Sequence, residues 1–528
     1  MKIKKNVNNI LFIWSAVLLV GYLGMFAFLN LAKYDQHVDS DTAAEALLGK
    51  IMWEEKSLTP DTWIASSERH NFGAPTLTAV LYGITGNLSL SQGISCTILG
   101  LLFAWVLYAF MREQGFSKMA TVVSMLVLCA IPINGIKLEG QMVPFLHQLL
   151  FVFADYYVLH SMVLLLAVLL YIRLRKQEFA KKNLILWILL FGLTLGLSLG
   201  GQRLLQILIF PLLVYEIICL FIETKAFALK VDKKRLAATG FVVSMAVAFG
   251  LASFYPGQIH NPMELGTPEQ VVEKVFTTIP AMVLDGFGLA GNVALGSFGS
   301  IMQLLVWAFL ALVIMGLVVM FQKDSLATME QKMGLLILCL SLGITIFLVA
   351  ITTVGPVPNY FYVEWFIALY VVAYLVDYYG KKDAWFKEMI VVAVCAFALL
   401  NIGYTYADAL STEDNLAMEQ EVADFLTQQD IQYGYGAFWD AGRIALLTDE
   451  KVKMGHSYTM TDVKMQWWLT DLRWYPPNLP TKMPVAYIVR QAERDGFENW
   501  YGENLPDIRF ENEKFVVYIG EENKVLLP

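Results

Sequence analysis

The sequence predicts an α-helical polytopic membrane protein with about eleven transmembrane helices and a small α/β domain at its C-terminal end, outside the cytoplasm. Three observations carry this expectation. Of the 528 residues, 57% are hydrophobic and only 16% charged, with a mean hydropathy of +0.55; soluble proteins carry about 25% charged residues. Apolar runs of about 20 residues, the length that crosses the hydrocarbon core, recur along the first four hundred positions. The basic clusters between those runs all fall on one side.

The first run, from about Ile10 to Leu31, follows Met1-Lys2-Ile3-Lys4-Lys5 and leads straight into Lys33-Tyr34-Asp35. It is longer than the roughly 7–15 residues of a signal-peptide core, so it reads as an uncleaved span. Further runs begin near Leu90, Met119, Tyr156, Leu184, Leu204, Leu236, Phe298, Met333, Tyr360 and Trp385. Every even-numbered run is followed by basic residues: Arg112 and Lys118; Arg173 to Lys176 with Lys181-Lys182; Lys225 to Arg235; Lys323 and Lys332; Lys381-Lys382 with Lys387. The positive-inside rule places all of them in the cytoplasm with the N-terminal lysines. The alternate connections then lie outside: 33–75, 135–155, 200–203, 257–296, 355–359 and the tail. Residues 1–404 form a membrane domain and 405–528 an extracytoplasmic one.

The first outside loop, about forty residues, far exceeds the usual 4–6. Within it, Thr42-Ala43-Ala44-Glu45 offers a capping box, followed by Ala44, Leu47, Leu48, Ile51 and Met52 at helical spacing. A short amphipathic helix lying on the outer membrane surface is expected there. In the tail, Glu413–Gln429 reads as a helix, and Ile431–Phe438, Val485–Val489 and Phe515–Ile519 read as strands. All five cysteines sit inside apolar runs, which suits small buried side chains rather than a disulfide framework. The net charge of −8 gathers beyond about Tyr404, where acidic side chains outnumber basic ones about two to one. A nucleic-acid partner needs a concentrated basic face, so none is expected. The bilayer itself is the first partner.

Candidate chemistry gathers near the outer ends of the spans. Asp39-Ser40-Asp41 stands just beyond the first span. One carboxylate of such a pair can take a proton from an attacking hydroxyl while the other orients it, or the two can share a cation. Equally, Asp41 can simply cap the following helix. Gly200-Gly201-Gln202-Arg203 closes a very short connection, which holds Arg203 near the membrane surface. A guanidinium there needs a polar partner, such as a lipid phosphate, or snorkels to headgroups. Tyr156-Tyr157-Val158-Leu159-His160 opens another span, with Asp155 before it; interfacial tyrosines ordinarily anchor helices. Trp467-Trp468 and Trp474-Tyr475 could stack on sugars or fill the tail's core. No Gly-x-x-x-x-Gly-Lys phosphate loop and no Cys/His cluster with zinc spacing occurs.

Asp39-Ser40-Asp41, Glu54-Glu55, Leu58, Trp63 and Ser67-Glu68 together resemble the first outside loop of GT-C-fold glycosyltransferases, the nearest likeness being to multispan proteins common in Gram-positive bacteria. The Tyr156–His160 stretch resembles a tyrosine–histidine element of that family. The resemblance implies an inverting transferase that takes sugar from a polyprenyl phosphate and passes it to an envelope polysaccharide, lipid or protein acceptor. It implies Asp39 or Asp41 as base, with Glu68, Tyr156, Tyr157, His160 and Arg203 binding substrate. A divalent cation, Mg or Mn, is an option at Asp39 and Asp41. Where such enzymes often carry Arg-Tyr at a late span, this chain reads Asn359-Tyr360, leaving more of the work to Arg203. The competing expectations are a transporter or flippase of lipid-linked saccharide, whose charges would sit near the midplane, and a non-catalytic envelope-assembly protein.

Overall fold

A computed structural model of the chain describes residues 2–66, 71–130, 157–176, 180–225, 233–254, 264–289, 296, 298–410, 416–480 and 482–525. Helices start within a few residues of all eleven expected places except the first, whose helix begins earlier, at Lys2. They fall into order with shorter elements. α1 (Lys2–Ala32) leads to α2 (Ser40–Glu55), β1 (Trp63–Ile64) and α3 (Ala74–Thr85). Then come α4 (Leu88–Glu113), α5 (Lys118–Ala130), α6 (Val158–Lys176) and α7 (Lys181–Ser198). A π-helical turn, Leu205–Ile209, opens α8 (Phe210–Lys225), followed by α9 (Lys233–Ala252), α10 (Pro268–Glu273) and α11 (Ile279–Gly286). The last spans are α12 (Phe298–Phe321), α13 (Met329–Ile351), α14 (Val363–Lys382) and α15 (Ala384–Leu410). Among the described residues, nine helices are long and apolar enough to cross a membrane; the other two of the eleven are α5 and α15. Ile13, Trp14 and Val20 of α1, Trp105 of α4 and Ile188 of α7 stand exposed, as lipid-facing side chains do.

Polar contacts tie together the helix ends that carry the basic clusters. Arg173 pairs with Glu113 at 2.7 Å, Lys176 with Glu330 at 3.1 Å, and Lys234 donates to the Lys176 carbonyl at 2.9 Å. Asp377 accepts from the Ser117 amide at 2.8 Å, at the start of α5. Glu216 is buried and accepts from Tyr171 Oη at 2.7 Å.

At the opposite end sits the C-terminal unit: α16 (Ala417–Gln428), β2 (Tyr433–Ala437), α17 (Phe438–Leu447), β3 (Lys453–Ser457), β4 (Thr470–Asp471), β5 (Lys482–Arg490), α18 (Arg494–Tyr501), β6 (Ile508–Glu511) and β7 (Phe515–Glu522). Five strands make one mixed sheet in the order β3-β2-β5-β7-β6. β2 runs parallel to both β3 and β5, while β7 is antiparallel to β5 and β6. β5 is an inner strand, between β2 and β7, and Val485–Val489 is a continuous buried run rather than an alternating one, the pattern of a strand covered on both faces. Trp474 and Tyr475 belong to the core of this unit, while Trp467 and Trp468 are half-buried.

The first loop and the C-terminal unit are joined. β1 pairs antiparallel with β4, Trp63 opposite Asp471. Ala44 packs with Phe438 and Leu469. Lys50 reaches Glu450 at 3.3 Å and donates to the Asp449 carbonyl at 2.7 Å. The Asp449 carboxylate in turn accepts from the Leu88 amide at 2.8 Å, at the head of α4. This corrects one expectation: α2 does not lie on the membrane surface. Buried residues go all round it, Glu45 and Lys50 included, because α3 covers one side and α17 another.

Candidate active site

The acidic turn is built where α1 gives way to α2. α4 crosses the end of α1 so closely that a Cβ on Gly93 would fall 1.9 Å from the Asn30 carbonyl oxygen, and the chain then turns away from the bundle. It is extended at Asp39, with φ −95° and ψ 179°, the conformation of a helix N-cap. Asp39 Oδ1 accepts from the Thr42 amide and from Thr42 Oγ1, both at 2.8 Å, while Thr42 Oγ1 accepts from the Asp39 amide at 3.1 Å. The capping box is therefore Asp39–Thr42, not Thr42–Glu45, and the cap is Asp39, not Asp41. The helix starts earlier than the apolar spacing suggested because one aspartate and one threonine satisfy each other's backbone.

The two carboxylates consequently differ. Asp39 is held in the cap. Asp41 lies in the first helical turn, half-buried, and burial, reinforced by the neighbouring Asp39 charge, pushes its carboxyl up to about 6. That is the range in which a carboxylate serves as a general base near neutral pH. Glu45, buried one turn further on, continues the same face of α2.

A second cluster forms where α6, α8 and α14 begin. The guanidinium of Arg203 lies over the Tyr157 ring, 4.3 Å from its centre. Tyr157 is buried rather than part of an interfacial belt, and its ring meets Tyr362 at 5.3 Å; Tyr362 in turn meets Phe366 at 5.8 Å. Arg203 stands two residues before the π-helical turn, a feature often found at functional sites. Ser341 Oγ steadies it by donating to the Ile207 carbonyl at 2.7 Å. Phe72 of the first loop lies against Gly196 near the end of α7, so this loop reaches towards the Arg203 connection. His160 is buried one turn along α6 from Tyr157. Tyr156, Asp155 and Glu68 lie outside the described residues.

Sequence reasoning passed over Glu364. It sits in the first turn of α14, only 4% exposed, and among the described residues neither carboxylate oxygen has a hydrogen-bond partner. A buried carboxyl in that state calls for a proton or a ligand. The signal was an acid two positions beyond Tyr362 at the head of a span, where charge is costly. As for a cation, no group of three or more His, Cys, Asp or Glu ligands forms among the described residues, and Asp39 already spends an oxygen on its cap.

No protein-family model matches the chain, and no curated protein matches its sequence. Solved structures do. ArnT from Cupriavidus metallidurans bound to undecaprenyl phosphate superposes with a TM-score of 0.57 at 13% identity, over 96% of this chain and 97% of that one. The apo state of ArnT from the same organism gives 0.54 at 14% identity, with the same coverage. At such identities the likeness is one of fold. The fold expected from the sequence, a GT-C-like helical membrane domain with a small sheet domain at the C-terminal end, is the one observed.

Proposed function

We propose that this chain is a glycosyltransferase that moves a sugar from a polyprenyl-phosphate donor to a hydroxyl of an envelope polysaccharide, lipid or protein on the extracytoplasmic side. The observation that carries the reading is the division of labour in the acidic turn: Asp39 is committed to the helix cap, while Asp41 stays uncommitted with its carboxyl raised to about 6. Two facts support it. The fold is shared with ArnT, whose structure holds undecaprenyl phosphate, and a guanidinium stacked on a buried tyrosine stands at the same end of the bundle.

In this reaction the acceptor oxygen attacks the anomeric carbon from the face opposite the phosphate, and Asp41 takes the hydroxyl proton. The bond between the anomeric carbon and the phosphate oxygen breaks, and polyprenyl phosphate leaves with the electron pair. The sugar carbon is inverted. Arg203 meets the growing negative charge, with Tyr157 holding its plane, so its contribution is greatest in the transition state. Asp39 positions Asp41 by fixing the first turn. No step here runs through a metal. The basic helix ends face the cytoplasm by the positive-inside rule, which puts the acidic turn outside.

The test follows labelled sugar leaving polyprenyl phosphate in purified, detergent-solubilised protein. Asp41→Asn keeps the shape but cannot take the proton, so transfer should fall by about 10²–10⁴ while the protein folds normally. Asp39→Asn retains a capping residue and should be the milder variant. Wild-type rates in both variants, or no transfer by the native chain from any polyprenyl donor, would sink the assignment in favour of a transporter or an assembly protein.

A further inference from the structure

The aromatic residues that the tail's sequence made conspicuous are largely enclosed, but two others are not. Trp439 is 54% exposed and Tyr458 70% exposed. The strands that lead to them end side by side, because Ala437 at the end of β2 and Ser457 at the end of β3 are register partners on parallel strands, which run about 4.8 Å apart; Trp439 follows two residues after the first and Tyr458 one after the second. This is also the edge where the chain order switches: β2 is followed by β3 on one side and by β5 on the other. Open sheets bind ligands at the carboxyl ends of parallel strands at such a switch. β5 contributes Arg490 to the same edge, its guanidinium bonded to Asp440 at 2.6 and 3.0 Å, so the aromatic pair has a polar rim.

The edge abuts the acidic turn. Phe438, between Ala437 and Trp439, packs on Ala44 of α2, and Gly442 one turn further on approaches the Ser40 carbonyl. The helical turn that bears Asp41 is thus the one that α17 touches. Resting on the function proposed above, we propose that Trp439 and Tyr458 form a stacking platform for a saccharide acceptor, which the C-terminal domain presents to the acidic turn. Pyranose rings offer apolar C–H faces to the negative face of an aromatic ring and hydroxyls to a charged rim. A large exposed aromatic pair beside a candidate catalytic turn fits that chemistry.

Calorimetric titration of the full-length chain in lipid nanodiscs tests this, with maltotetraose, chitotetraose and isomaltotetraose as probes. At least one should bind the native protein. Trp439→Ala and Tyr458→Ala should each weaken binding by about five- to tenfold, whereas Trp439→Phe and Tyr458→Phe, which keep a ring, should stay within about threefold. Failure of all three sugars to bind, or unchanged binding by both alanine variants, overturns the platform. So does a drop in brominated-lipid quenching on going from the native chain, with its 13 tryptophans, to Trp439→Phe, which would make Trp439 a membrane anchor. The titration involves no transfer step, so it separates the two readings. Sugar binding lost in the alanine variants, with no release from polyprenyl phosphate, keeps the platform and drops the transferase. Transfer that persists with acceptor affinity untouched in those variants does the reverse.

Discussion

Two aspartates two positions apart look interchangeable in a sequence, and hydrogen bonding makes them unlike. Asp39 spends its carboxylate on Thr42, and Asp41 is left half-buried next to it. The sequence could show the pair but not the assignment, because helix spacing alone did not reveal which residue opens α2. A pH dependence follows. With its carboxyl at about 6 rather than the ordinary 3.8, Asp41 is mostly ionised at pH 7 and only about one-tenth ionised at pH 5, so kcat/KM should fall about tenfold between them. A flat profile across that range would remove Asp41 as the base. The sign for stability is opposite. The folded chain keeps a proton that the unfolded chain has lost between pH 3.8 and 6, so this group's contribution declines as pH rises through that window. Arg203 gives the second test at this scale. Arg203→Ala should weaken use of the lipid-phosphate donor by about tenfold or more, the worth of a charged hydrogen bond. Arg203→Lys should restore only part, since lysine loses both the planar fork and the stack on Tyr157. Equal KM and kcat in all three forms would leave Arg203 a snorkelling side chain.

The element that decides how well the site is held is α2. Its apolar residues suggested a helix resting on lipid, yet Glu45 and Lys50 are buried with them. Spacing within one helix says which face is apolar, not what will cover the polar face, and here the C-terminal unit covers it. Lys50 is the connecting residue, bonded to the Asp449 carbonyl and paired with Glu450. Burial raises the Glu450 carboxyl to about 7, against the pull of Lys50. From the ordinary 4.5 up to 7 the folded chain therefore holds a proton that the unfolded chain releases, and stability from this group falls as pH rises through that window. Lys50→Met removes the group that holds Glu450 down and extends the window upward. Thermal unfolding should then show a loss of about 2–3 kcal/mol at pH 8, shrinking towards pH 5.5, where Glu450 is neutral; the bond to Asp449 is lost at every pH. Lys50→Met with Glu450→Gln should recover most of the pH-dependent part. A defect of the same size at pH 5.5 and pH 8 would mean that Lys50 acts through packing alone.

On the scale of the whole molecule, the helices were the most legible part of the sequence, because a span must be long and apolar whatever it packs against. The strands at Val485–Val489 and Phe515–Ile519 were legible for a related reason: β5 and β7 are rich in β-branched and aromatic side chains. What escaped were features made by distant segments meeting, such as the pairing of β1 with β4 and the Lys50–Glu450 contact. No local pattern encodes them. Orientation in the membrane is a different matter, since it follows from charge rather than packing, and it has a direct test. Asn478 is exposed on the C-terminal unit and Ser57 is partly exposed just beyond α2, whereas Lys233 is exposed at the start of α9 among the basic helix ends. Cysteines placed at Asn478 and Ser57 should react with an impermeant thiol reagent in intact cells, and one at Lys233 should react only after the membrane is opened. The native chain sets the background: among the cysteines whose side chains are described, Cys96 is buried and Cys219, Cys339 and Cys395 are only partly exposed, all within spans. The proposed reaction needs Asp41 on the reagent's side of intact cells. Labelling at Lys233 without permeabilisation would invert the topology, move the acidic turn to the cytoplasmic face, and remove the extracytoplasmic acceptor from the proposal.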